Sequence, residues 1–499
     1  MNFFRNVLSV LLVIAAPMTL AQGYGSTEFH ATGNTQAHQV FVEGLLKLHN
    51  FEYSDARESF QQAIEIDPDF TMAYWGEALS YEQSFWRRYD TEASRAVLQR
   101  LGATPQERLQ RAQTEREKDY IRSIEILFGQ SSQQEREEAY SDSLRELSEK
   151  YPEDLDASAF YALSILVTTY GGRDYARYMQ AGAITEKILD KDPRHPGALH
   201  YNIHSYDDPI HAPLGLRSAE IYSEVAPSAV HALHMGSHIY YALGMWELGI
   251  ERNTRSFEEE ISRQSDLSDP YSGAAYHALT WIPYGYQQMG EFEKAQEYIA
   301  LIAKQVEHHG EHNPVHRNHY ATVRASYLID SLDWSGELAD VSIPHKGLSL
   351  YAHVTDIYAK GLVALNRGNL EGARAELEKM NGDMGGMGAM QPMEEMAMTS
   401  GRRSELAPHL LRLALEGRIA LAEGDADKAI DLVARAEEME AALAVEYGPA
   451  VPIQPMAELL ADIYREIGNE QMARQYYEIS LSRAIGRYRS LQGLELLSN

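Results

Sequence analysis

Nineteen histidines stand in this sequence, and they are crowded rather than spread. The stretch PRHPGALHYNIHSYDDPIHAPLGL carries His195, His200, His204 and His211, and APSAVHALHMGSHIYYALGMW carries His231, His234 and His238. A neutral imidazole offers a nitrogen lone pair and is the commonest metal ligand among side chains. His200 and His204 are four residues apart, His234 and His238 repeat that spacing, and His231 lies three residues before His234. On helices these residues share one face. If two consecutive helices pack antiparallel with those faces opposed, His200, His204, His234 and His238 converge on one ion such as Zn, Cu or Ni. Asp207 and Asp208 follow closely. Either could be a carboxylate ligand or a partner that orients the ligands, with Asp208 the expected ligand and the base of a metal enzyme. The plainer alternatives are a buried polar network between helices and the wall of a peptide or small-molecule groove.

Two further clusters could hold metal. QVEHHGEHNPVHRNHY carries His308, His309, His312, His316 and His319, but Gly310 and Pro314 interrupt it, and a solvated repeat edge explains it equally well. Methionines 380, 384, 387, 390, 393, 396 and 398 lie in a Gly-rich stretch. Thioether is a soft ligand that selects Cu(I), so Met384, Met387, Met390 and Met393 are expected copper ligands. The pattern resembles the methionine motifs of exported copper-handling proteins. The alternatives are a Met-lined contact for a partner or lipid, and simple low complexity. Tyr74, Trp75, Tyr81, Phe85 and Trp86 fall near helical spacing and are expected as inter-repeat core.

The elements that must position these residues are helical. In GLLKLHNFEYSDARESFQQAIEIDP, Gly44 permits close helix approach, Ala56 and Ala63 are small knobs, Phe60 fills the space between them and Pro68 stops the second helix. Degenerate copies follow. In each, a turn glycine precedes a small packing residue by five: Gly244 and Gly249, Gly290 and Ala295, Gly368 and Ala373, Gly424 and Ala429, Gly468 and Ala473. This resembles the tetratricopeptide repeat, a helix hairpin that stacks on its neighbour. The resemblance implies an all-α, right-handed superhelix of antiparallel helix hairpins. The copies are spaced irregularly, which predicts insertions or helix pairs that have lost the signature.

A further resemblance rests on HPGALHYNIH and HALHMGSHIYYALGMW, with Thr71–Gly76 (TMAYWG) and Val451–Leu459 (VPIQPMAEL). These are similar to segments of a family of large exported bacterial tetratricopeptide-repeat proteins, which shows HPGAxHxxIH and a variant of HMPSHI. Gly236 stands where that family usually has Pro, and Thr71 replaces Ala. The family has no settled activity, so the resemblance implies architecture and a shared histidine region.

Residues 1–21 read as a secretion signal, with Arg5 before an apolar run and a small-residue cleavage site before Gln22; a retained anchor is the alternative. The expected organisation is then a mobile leader at 22–35, a helical array at 36–379 with the histidine segment at 195–250, a Met/Gly-rich loop at 380–404, and further repeats at 405–499. Export predicts a periplasmic or secreted protein. A net charge of −29 argues against nucleic acid or anionic lipid as partner. The absence of cysteine excludes disulfides and thiolate sites. No phosphate-cradling loop, G-x-S-x-G or H-E-x-x-H is found. Three functions stay open: a scaffold binding protein or peptide on its concave face, a copper or zinc handling protein, and a metal-dependent enzyme.

Overall fold

The computed structural model describes residues 23–264, 270–311, 313–385, 403–445 and 447–498. The chain is an all-α solenoid of stacked helix hairpins. The only sheet among the described residues is the pairing of Glu82–Gln83 with Arg88–Tyr89. Each predicted repeat copy becomes one hairpin. Thr35–His49 pairs with Tyr53–Ile66, Val230–Ala242 with Trp246–Ser262, Trp281–Gln288 with Phe292–His309, and Met456–Glu466 with Glu470–Arg483. The pairs that lack the signature include Leu155–Val167 with Tyr175–Lys191, and Pro196–Tyr206 with Ala212–Val225.

The turn glycines explain the recurring motif. Gly244, Gly290, Gly368, Gly424 and Gly468 all take positive φ, between 69° and 86°. That left-handed conformation ends one helix and starts the return at no steric cost for glycine. The first hairpin breaks the rule. Its turn position, five before Ala56, is Phe51 at φ 60°. A left-handed non-glycine residue costs about 1–2 kcal/mol. The ring placed there touches the histidine region, as described below. A Cβ on Gly44 in the first hairpin would lie 2.8 Å from the Phe60 ring and one on Gly76, in the following helix Thr71–Leu79, only 2.4 Å, so both helices need glycine to close on it.

The leader is not a free segment. Phe29 is buried, the Gly23 carbonyl accepts from the Ser228 N–H at 2.9 Å, and Thr32 N–H donates to Glu117 at 2.6 Å. Met380, expected in a loop, is buried within the helix Leu370–Gly385, and among the described residues the next helix starts at Arg403, which pairs with Glu440 at 2.7 Å. Met384 lies in that first helix with its side chain outside the description. Met387, Met390 and Met393, His312 and the signal segment lie outside the described residues.

A buried ion cluster ties the two ends of the second half together. Arg487 meets Asp330 at 3.0 Å and Glu458 at 3.0 and 3.1 Å, and Gln288 reaches Asp330 at 2.7 Å. Between these partners in the sequence, Tyr447 reaches the histidines, its ring 4.3 Å from that of His238.

Candidate metal centre

Three helices carry the centre. The first, Pro196–Tyr206, starts with Pro196 in its first turn and His195 as cap, whose Nδ1 accepts from Ala198 N–H at 3.1 Å. Every one of its 11 residues is buried. The second, Val230–Ala242, has Ala229 at its N-cap position, and no side-chain cap there. Its free N–H at Val230 donates instead to the Glu52 carboxylate at 2.7 Å, a cap supplied from the first hairpin. Burial, opposed by Arg263, pushes the Glu52 carboxyl up to about 7. The third, Gly273–Leu279, is capped by Ser272 and carries His277.

The expected opposition of consecutive helices is corrected. Ala212–Val225 intervenes and packs on both histidine helices. Two short connections reverse the chain twice, so the histidine helices lie side by side in the same direction. Their faces still meet. His204 and His238 rings are 5.3 Å apart, His200 and His231 4.9 Å, and His231 and His234 6.0 Å. Among the described residues no group of donors takes in all four of His200, His204, His234 and His238, although His204, Asp207 and His238 form one group across the two helices. The histidines alone fall into two groups, His200 with His204 and His231, and His234 with His238 and His277; in each, one donor atom per residue lies within 4.8 Å of the others. Each group takes one pair at four-residue spacing and adds a third ring. His277 was not anticipated, because a lone histidine in GAAYHAL carries no spacing signal.

Hydrogen bonding fixes the tautomers. His200 Nδ1 donates to the His49 carbonyl at 2.7 Å. His204 and His238 donate from Nδ1 to one and the same oxygen, Asp207 Oδ2, at 3.2 and 2.9 Å. His234 Nδ1 faces Asn253 Oδ1, and the Asn253 amide nitrogen is spent on the Gly249 carbonyl, so here too Nδ1 carries the hydrogen. In all four rings the remaining nitrogen, Nε2, is left as a lone pair. The Nε2 atoms of His200, His204 and His231 are buried with no hydrogen-bond partner among the described residues. Nε2 of His234 and of His238 face each other at 3.0 Å. Two lone pairs at that distance repel unless a cation sits between them. Ordinary metal–nitrogen distances of about 2.0–2.1 Å accommodate such a spacing.

Electrostatics keep the rings neutral and the carboxylate ionised. Burial, reinforced by neighbouring imidazoles, lowers His200, His231 and His234 well below the usual histidine range, and His277 to about 3. His204 falls to about 4, with Asp207 resisting the effect of burial. Burial alone would raise the Asp207 carboxyl, but Arg173 and the hydrogen bonds from His204 and His238 hold it well below the carboxylate range. Asp208 does not face the rings. It pairs with Arg173 at 3.1 Å and His211 at 2.9 Å and accepts from the Ile210 N–H at 3.0 Å, so Asp207 takes the place expected for Asp208.

Aromatic rings wall the centre. Phe51 lies 4.3 Å from His200, Phe85 4.1 Å from His204 and Trp86 5.5 Å from His231. Trp281 stacks on His238 at 4.9 Å from one side and Tyr447 at 4.3 Å from another. Gly448 follows at φ 89°, where a Cβ would strike Trp281 at 2.6 Å. Phe85 and Trp86, expected as inter-repeat core, thus cover imidazoles, whereas Trp75 does pack in the core against Phe29 and Phe160.

Two other histidine groups behave differently. His49 and His195 share Asp156 Oδ1 at 2.9 and 3.4 Å. His195 Nδ1 is an acceptor, and its Nε2, 3.4 Å from the Asp156 carboxylate, has no hydrogen-bond partner among the described residues; His49, Asp156 and His195 also bring one donor atom each within 4.8 Å of one another. In the 308–319 cluster, His316 meets the Tyr276 hydroxyl at 2.5 Å and His319 stacks on Tyr276 at 4.7 Å. No three of its described members converge as metal donors.

No protein-family model matches the sequence, and no curated protein matches it. Similar solved structures include the anaphase-promoting-complex hetero-tetramer Cut9-Hcn1, at 13% identity over 95% of this chain and 79% of that one, TM-score 0.37. Yeast Tom70 is similar at 10% identity over 93% and 88%, TM-score 0.32, and a human IFIT1 dimer at 14% over 93% and 90%, TM-score 0.34. Likeness at this level says nothing of the residues in the centre.

Proposed function

We propose that this chain is a metalloprotein on a tetratricopeptide-like frame, binding a transition-metal ion, copper first and zinc second, in its buried histidine centre. One observation carries the reading: the Nε2 lone pairs of His234 and His238 are forced together at 3.0 Å by partners that hold the hydrogens on the opposite nitrogens. Acceptors that hold the hydrogen on the far ring nitrogen are what orient metal-bound histidines. Imidazole suits both Cu and Zn. Export to a periplasm, the membership in the exported bacterial family, and Cu(I) capture by Met384, Met387, Met390 and Met393 belong to the same reading and rest on the sequence.

A protein or peptide scaffold is compatible with the frame, but no described groove singles out a partner. A metal-dependent enzyme would need an open coordination position beside the three rings. The test is elemental analysis of tag-free protein, followed by titration with Cu(I) and Zn(II). Stoichiometric metal is expected. Less than about 0.1 ion per chain with no uptake would sink the proposal.

A further inference from the structure

The centre contains twice the donors that one ion needs. Imidazole nitrogens of His200, His204 and His231 converge in one group, and those of His234, His238 and His277 in the other. Trigonal sets of three neutral nitrogens each suit one ion. The groups adjoin, with His204 and His238 rings 5.3 Å apart and both held by Asp207 Oδ2. A single ion at ordinary bond lengths reaches only one group.

Charge then selects the ion. The fixed charges beside the rings are the carboxylates of Asp207 and Asp208 against the Arg173 guanidinium, a sum of one negative charge. Two divalent ions would leave three positive charges in a chamber walled by Phe51, Phe85, Trp281 and Tyr447. Two monovalent ions leave one. Uncompensated charge in such surroundings is strongly disfavoured.

We infer that the centre is dinuclear and takes two cuprous ions side by side, one in each group of three histidines, with Asp207 as the positioning residue common to both. This rests on the metal-binding reading above and adds the number and oxidation state of the ions.

The experiment is an anaerobic Cu(I) titration against a competing chelator, on the full chain and on His200→Ala, His277→Ala and the double variant. Differences from wild type cancel any copper held by the methionine stretch. The double variant is expected to lose two copper ions. Loss of one overturns the pairing and leaves the metal-binding reading standing. Loss of none overturns both. His200 is fully buried, so folding of the variants is checked by circular dichroism. A second measurement needs no substitution. Wild-type protein loaded with Cu(I) and then oxidised chemically to Cu(II) is expected to release copper from the centre, because two divalent ions exceed the charge it compensates. Full retention of both ions after oxidation would overturn the choice of cuprous ions.

Discussion

At the scale of single residues, the deciding atom is one carboxylate oxygen. Asp207 Oδ2 holds two imidazoles in the tautomer that frees Nε2. Loss of such a partner typically weakens metal affinity by about 10–100-fold. Asp207→Asn is therefore expected to lower Cu(I) affinity by that factor in a chelator competition, and Asp208→Asn to lower it less. The reverse order would restore Asp208 to the role the sequence suggested. The sequence showed the paired histidines because helical spacing makes them neighbours. It could not choose between adjacent aspartates, since the choice depends on how the chain turns after Tyr206. Nor could it find His277, which no periodicity links to the others. Phe51 offers a second test. Replacing it with Gly relieves a left-handed backbone worth about 1–2 kcal/mol but removes a buried ring worth about 3–5 kcal/mol. The net expectation is destabilisation by about 2 kcal/mol in denaturant unfolding. A stabilised variant would show that the ring does nothing for the chamber.

At the scale of elements, the five-residue interval between turn glycine and packing residue was fully legible, because both ends of it obey local sterics. The hairpin at residues 82–89 was not, and it carries Phe85 and Trp86 onto the histidines. It also buries Glu82, whose carboxyl is pushed up to about 7 by that burial, above its ordinary 4.5. The folded chain thus keeps a proton that the unfolded chain releases. The stability tied to this group is full below pH 4.5 and is lost as pH rises through about 7. Glu82→Gln is expected to flatten the fall of Tm between about pH 5 and 8, with Glu52 leaving a residual slope. An unaltered profile would refute the assignment. The Arg487 cluster makes the opposite kind of prediction. Arg487→Met strands Asp330 and Glu458, both fully buried. Breaking one partner from such a pair costs about 3–5 kcal/mol. A loss below about 1 kcal/mol in urea unfolding would show that the cluster is dispensable, against that same expectation.

At the scale of the whole molecule, contacts far apart in the sequence join hairpins that the repeat alone would not bring together, as Arg487 does with Asp330 and Phe51 with His204. The helix-hairpin stack was legible from composition and repeats, since each hairpin is a local solution to burying one face. The closure was not, because it depends on Tyr447 and Phe51, which stand far apart in the sequence and both approach the His204 ring, at 6.2 and 6.3 Å. A lid made of such distant pieces imposes an order of events. If the chamber takes metal as proposed, ions reach the rings most readily before both pieces have docked. The identity of the cargo would then be written by the place and moment of folding as much as by the affinity of the finished chamber.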